Sequence, residues 1–135
     1  NGDIGRTAYV GEAPDEVRRA FNAVRKGWER ACEIMRPGMS AHEVGALVRD
    51  TIRQSGFPAF STTTPHSLGL EHFDHPQTHG FYQDFVLEEN CVINVDMPFV
   101  EFGWGAMHLE DTVVLRRDGV EFLTSNQTAL IEIPD

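Results

Sequence analysis

The chain has 135 residues, 11 of them basic and 21 acidic, which gives a net charge of −10 at pH 7. That sign disfavours nucleic acid and anionic membranes as partners, since both need a basic footprint. With 41% hydrophobic residues the chain can bury a core. No apolar run approaches the roughly 20 residues of a membrane helix, and the opening NGDIGRTAYV lacks the basic-then-apolar order of a signal peptide.

In chain order, Asp3 to Gly11 reads as a first strand. Pro14 suits the first turn of a helix, and Asp15 and Glu16 sit well near its positive end. Val17, Phe21, Val24, Trp28, Cys32 and Met35 recur at spacings of three or four, one apolar stripe that ends at Arg36-Pro37-Gly38. Ser40 followed by Glu43 is a capping-box pattern. It opens a second helix with Val44, Leu47, Val48 and Ile52 on one face and a stop at Gly56. Beyond Gly56 the composition turns aromatic and β-branched. Cys91 to Phe102 is a strand, and His108 to Thr124 reads as two strands joined at Asp118-Gly119. Residues Gln77 to Glu89 are expected to form a long loop or lid. This order predicts one α+β domain over residues 1–135, a mostly antiparallel sheet with two helices packed on one face. Cys32 and Cys91 are expected to be buried free thiols, with cytoplasm the default compartment.

His66 to Pro76, HSLGLEHFDHP, packs three histidines and two carboxylates around one glycine. Whether it is a metal site or a polar loop depends on acidic residues elsewhere. Asp96 stands inside the apolar run VINVDMPFV, where a charge is costly unless it is paired or metal-bound. Glu110 and Asp111 interrupt another strand, and alternation is expected to point one inward and one outward. Asp3 opens the first strand. One imidazole among several carboxylates is an oxygen-rich donor set that suits Mn, Fe, Co or Zn better than a structural zinc site, which would want cysteines.

The segments DIGRT, HSLGLE…HP, VINVDMP and HLEDTVVL…DGVEFLT, in that order with two helices after the first, resemble the M24 metallopeptidases. That group includes methionine aminopeptidase, Xaa-Pro aminopeptidase, prolidase and creatinase. The resemblance runs from Asp3 to about Thr124 and is nearest the Xaa-Pro peptidase and creatinase branch. It implies a pita-bread fold, here incomplete, a catalytic domain without its N-terminal half. It implies two divalent metal ions (Mn, Co, Zn or Fe) held by Asp3, His66, Asp96 and Glu110, with Glu110 bridging. It also implies a peptide or small-amide substrate, hydrolysis by a metal-bound hydroxide, and a homodimer of the full-length protein.

Three departures stand out. The upstream aspartate of the family's five-ligand set is absent from the chain. Asp96 replaces a glutamate. Phe73 occupies the place of a second histidine, leaving His75, preferred for the DHP wording, or His72 as the catalytic histidine. The alternative reading is a creatinase-like or other non-peptidase protein of the same fold: an amidinohydrolase, a lyase or a metal-free binding module.

The remaining candidates carry two readings each. His108, two residues before Glu110 and on the same strand face, either supports a ligand or is an ordinary strand histidine. Arg6 and Asp111 either brace the site or lie exposed. Trp104 either lines a substrate pocket or joins the core. His42 and His79 are expected at the surface.

Overall fold

The computed structural model describes residues 2–61, 65–77, 83–101, 104–124 and 128–134. His79, Phe102 and part of the expected lid (78–82) fall outside them. The elements are β1 (Ala8–Val10), α1 (Asp15–Ile34), α2 (Ala41–Gln54), β2 (His66–Ser67), β3 (Val92–Glu101), β4 (Gly105–Arg116), β5 (Gly119–Phe122) and β6 (Ile131–Ile133).

Helix α1 starts after Pro14, with Asp15 and Glu16 in its first turn. Its stripe buries Phe21, Val24 and Trp28, and Met35 just beyond the helix is also buried. Ser40 caps α2 by accepting the Glu43 backbone N–H at 3.2 Å, as the capping pattern requires. The two helices meet where α1 has no side chain. A Cβ at Gly27 would come within 2.5 Å of Ile52 Cδ1, so only glycine permits this approach. Leu47 departs from its expected face and is exposed, because the contact with α1 is made by Val48 and Ile52.

The main sheet has the order β2-β3-β4-β5, every pair antiparallel. Helix α1 packs against β3, β4 and β5, and α2 packs on α1. Ile93, Val95, Met97 and Phe99 of β3 and Met107, Leu109, Val113 and Leu115 of β4 alternate onto the helix face and are buried. Trp28 stacks on Phe122 with centroids 5.4 Å apart. Trp104 joins the core edge, its ring 5.7 Å from Phe99.

Four expectations need correction. The first strand is short: Ala8–Val10 form it, in parallel with the distant β6, and Gly5 makes only an isolated bridge. The turn after β4 sits at Arg117-Asp118, because Arg116 pairs with Gly119. Glu110 and Asp111 do point to opposite faces, but both faces are covered there and both residues are buried. Cys32 and Cys91 are free but only partly buried.

Candidate metal centre

The middle of the sheet's far face is polar, around Asn94, Asp96, His108, Glu110 and Thr112. Register explains what gathers there. Asp96 pairs directly with Glu110, Asn94 with Thr112, and Pro98 with His108. On the other side of β3, His66 pairs with Asn94. Residues 3–7 lie along the edge of β4 that β5 leaves uncovered. Gly5 N–H donates to the Glu110 carbonyl at 3.1 Å, and Glu110 N–H returns a bond to the Gly5 carbonyl at 3.0 Å. The Thr112 hydroxyl donates to the Asp3 carbonyl at 2.7 Å. Four stretches distant in sequence thus deliver Asp3, His66, Asp96 and Glu110 to one place.

Two groups of donor atoms result, each with its atoms within 4.8 Å of one another: His66, Asp96 and Glu110, and Asp3, His66 and His72. His66 is buried, and its Nδ1 faces the Ser67 carbonyl at 3.1 Å. That contact puts the ring proton on Nδ1 and the lone pair on Nε2, the form that binds metals. Burial also lowers its pKa from 6.5, which keeps the ring neutral.

Glu110 is the most perturbed acid of the site. Burial first, then the neighbouring Asp96 charge, push its pKa from 4.5 up to about 7, and Asp3 adds to the rise while His108 opposes it. Carboxylates held together against their own repulsion form a site that gains when a cation enters. His108 Nε2 donates to Asp96 Oδ1 and stands 3.5 Å from Glu110 Oε2. Its pKa is raised, chiefly by the bond to Asp96.

Asn94 and His108 complete the arrangement. Asn94 is fully buried, donates Nδ2–H to Glu110 Oε1 at 3.0 Å, and has no hydrogen-bond partner for Oδ1 among the described residues. Asn94 escaped the sequence reading. The signal was there, since a polar residue two places before Asp96 in an apolar strand must share its face. An orphaned buried acceptor on the amide that holds Glu110 fits a cation, and so does the oxygen-rich donor set.

Asp111 lies on the other face, buried. It accepts from Arg6 Nη2 and from the Thr124 hydroxyl, each at 2.7 Å, and so ties the residue 3–7 segment to β4. Arg6 therefore braces the segment that carries Asp3. The two candidate catalytic histidines part company. His72 Nε2 lies 3.4 Å from Asp3 Oδ2, and its ring contacts His66 edge-on at 4.9 Å and stacks on Phe73 at 4.5 Å. His75 bonds instead to Glu88 at 3.0 Å on an exposed depression lined by Leu68, Gly69 and Cys91. The preference for His75 drawn from the DHP wording is therefore not met by the geometry: the loop turns at Asp74, whose carboxylate holds the Leu70 and His75 N–H groups. His42 is exposed on α2, with its backbone N–H on Asp84.

Comparison with known proteins places the fold. The Xaa-Pro dipeptidase of Pyrococcus furiosus is 31% identical over 132 residues, covering 97% of this chain and 38% of that protein. The solved Xaa-Pro dipeptidase from Bacillus anthracis superposes with a TM-score of 0.85 at 30% identity, over 97% of this chain and 37% of that one. The X-Pro aminopeptidase from Thermotoga maritima does so with the same score, identity and coverage. The chain thus spans under two fifths of the length of these relatives, and its fold is part of theirs. The sequence pattern of metallopeptidase family M24 matches residues 1–117, and the chain belongs to that family.

Proposed function

We propose that residues 1–135 form the metal-holding catalytic portion of an Xaa-Pro peptidase, which cleaves the bond before proline in a short peptide. One observation carries this reading: Asp3, His66, Asp96 and Glu110 converge on one sheet face, with their donor atoms in two overlapping groups. The two groups share His66, with Asp3 on one side and Asp96 and Glu110 on the other, and together these residues would hold the divalent ions. The donor chemistry suits Mn, Co, Zn or Fe. Bound there, such ions supply Lewis-acid polarisation of the scissile carbonyl and acidify a water.

The remaining duties fall to the chain. Asn94 fixes the Glu110 carboxylate. His72, half-exposed beside Asp3, is placed to hold the developing oxyanion or hand a proton to the leaving amine; His75, engaged with Glu88, is not. Asp96, with its short side chain, and Phe73, packed 5.3 Å from His66, favour a second reading, a creatinase-like amidinohydrolase of the same fold. A cytoplasmic address fits the two free thiols, and no described helix is long and apolar enough to cross a membrane. A homodimer of the full-length protein completes the proposal.

The test is metal analysis of the full-length protein and of its His66→Ala and Glu110→Gln variants, paired with turnover of Xaa-Pro dipeptides in Mn. Loss of metal in both variants and cleavage before proline are expected. Unchanged metal content in both would remove the metal centre. Metal binding without dipeptide turnover would favour the second reading.

A further inference from the structure

One contact on the site face has no duty in the function just proposed. His108 Nε2 faces both strand carboxylates, hydrogen-bonded to Asp96 Oδ1 and 3.5 Å from Glu110 Oε2. We propose that His108 is a positioning residue that aims Asp96 and Glu110 at a common cation. The proposal rests on the metal-centre reading.

The register supplies the reason. Asp96 and Glu110 are direct cross-strand partners, and like charges so placed repel. Asp96 has one methylene and a rotatable Cα–Cβ bond, so repulsion alone would turn its carboxylate aside. Asn94 restrains Glu110 from one direction. His108, one pair further along the same face, supplies the matching restraint on Asp96. Ligating carboxylates held by an outer hydrogen bond keep their orientation when the ion arrives.

His108 is itself held from two sides. Its backbone N–H donates to Thr7 Oγ1 at 2.7 Å, and that hydroxyl donates to the His108 carbonyl at 2.9 Å. Gly5 closes the other side: a Cβ there would sit 3.0 Å from His108 Cγ and from Glu110 Cβ and Oε2. The bare backbone of residue 5 therefore leaves room for this ring and this carboxylate and no more. A histidine pairing casually with a surface acid would need neither anchor.

The experiment titrates Mn and Co separately into the full-length protein and into its His108→Ala and His108→Gln variants, by competition with a chelator. The visible absorption of bound Co is recorded, and metal-free melting serves as a folding control. His108→Ala should weaken binding by about ten- to a hundredfold and shift the Co bands. Gln places an amide N–H near the position of the imidazole Nε2, so His108→Gln should recover most of the loss. Alanine binding as tightly as wild type would overturn the proposal. Glutamine failing as badly as alanine would also overturn it, since the imidazole itself would then hold the ion. If the wild type binds neither metal, the metal centre itself falls; a failure confined to the variants leaves that centre standing.

Discussion

The two faces of the β3–β4 ribbon share a backbone and a register and obey opposite rules. Toward the helices, Ile93, Val95, Met97, Leu109 and Leu115 are buried against α1 and each other, and every neighbour reduces the exposed apolar surface. Toward the site, Asn94, Asp96, His108 and Glu110 crowd charges and polar groups that stay in place only through hydrogen bonds. The helix face carries stability and the site face spends it. Local rules are broken mostly where a ligand is to be bound, and the break is supported from behind by an apolar core whose one buried carboxylate, Asp111, is tied to Arg6 and Thr124.

Separability of the faces is the first thing to attack. Leu109 is fully buried on the helix face, between His108 and Glu110 in sequence. Leu109→Ala should cost about 2–5 kcal/mol of unfolding free energy, measured with urea on the full-length protein, and leave the metal affinity of folded molecules unchanged. A parallel collapse of metal affinity would show that the faces are coupled and the comparison wrong.

Glu110→Gln should do the reverse. Its pKa lies at about 7 in the fold against 4.5 when unfolded. Between those values the folded state holds a proton that the unfolded chain has released, so metal-free stability falls as pH rises from 4.5 to 7 and stays low above. The full effect is about 3 kcal/mol at most. His108 acts in the same direction: its folded pKa is raised, so its contribution is complete below pH 6.5 and lost as pH climbs through the raised value. His66, lowered by burial, works the other way and regains stability as pH approaches 6.5 from below. Glu110→Gln should therefore flatten the decline between pH 5 and 8, raise metal-free stability at pH 8, and abolish metal binding. Urea titrations at the two pH values, with chelator present, check it; a wild-type protein equally stable at both would contradict the buried-charge account.

Much of this was legible in the chain. The stripe from Phe21 to Met35 and the Ser40 cap set both helices, because helical periodicity and capping are local. Asp96 and Glu110 betrayed themselves as charges in apolar strands. What the residues could not show depended on register and loop path. The link of His108 to Asp96 exists because Asp96 pairs with Glu110 and not one residue off. Asp3 reaches the site along the open edge of β4 by a single bridge, not as part of a full strand. The true partner of Ala8–Val10 lies over a hundred residues away, at Ile131–Ile133, and His72 rather than His75 faces Asp3 because of how one short loop turns.

Smaller effects sharpen the contrast. Gly5→Ala would press a methyl against His108 and Glu110. Overpacking of that kind costs about 1–3 kcal/mol, and here the strain falls on the site face, so metal affinity should drop along with melting temperature. A variant that melts lower yet binds Mn as well as wild type would place the strain in the segment around residue 5 and clear the carboxylates.

The smallest expected change separates the two histidines of the loop. His75 is exposed and bonded to exposed Glu88, so His75→Ala should stay within about 0.5 kcal/mol of wild type and leave both metal affinity and turnover alone. His72→Ala should be just as stable, because its ring is half-exposed, yet lower kcat on Xaa-Pro dipeptides far more than it changes KM, since its role is realised only as charge develops in the reaction. Equal kcat in the two variants would return the proton-handling role to some other group. A kcat loss in His75→Ala alone would mean that the loop refolds around the substrate to carry His75 inward.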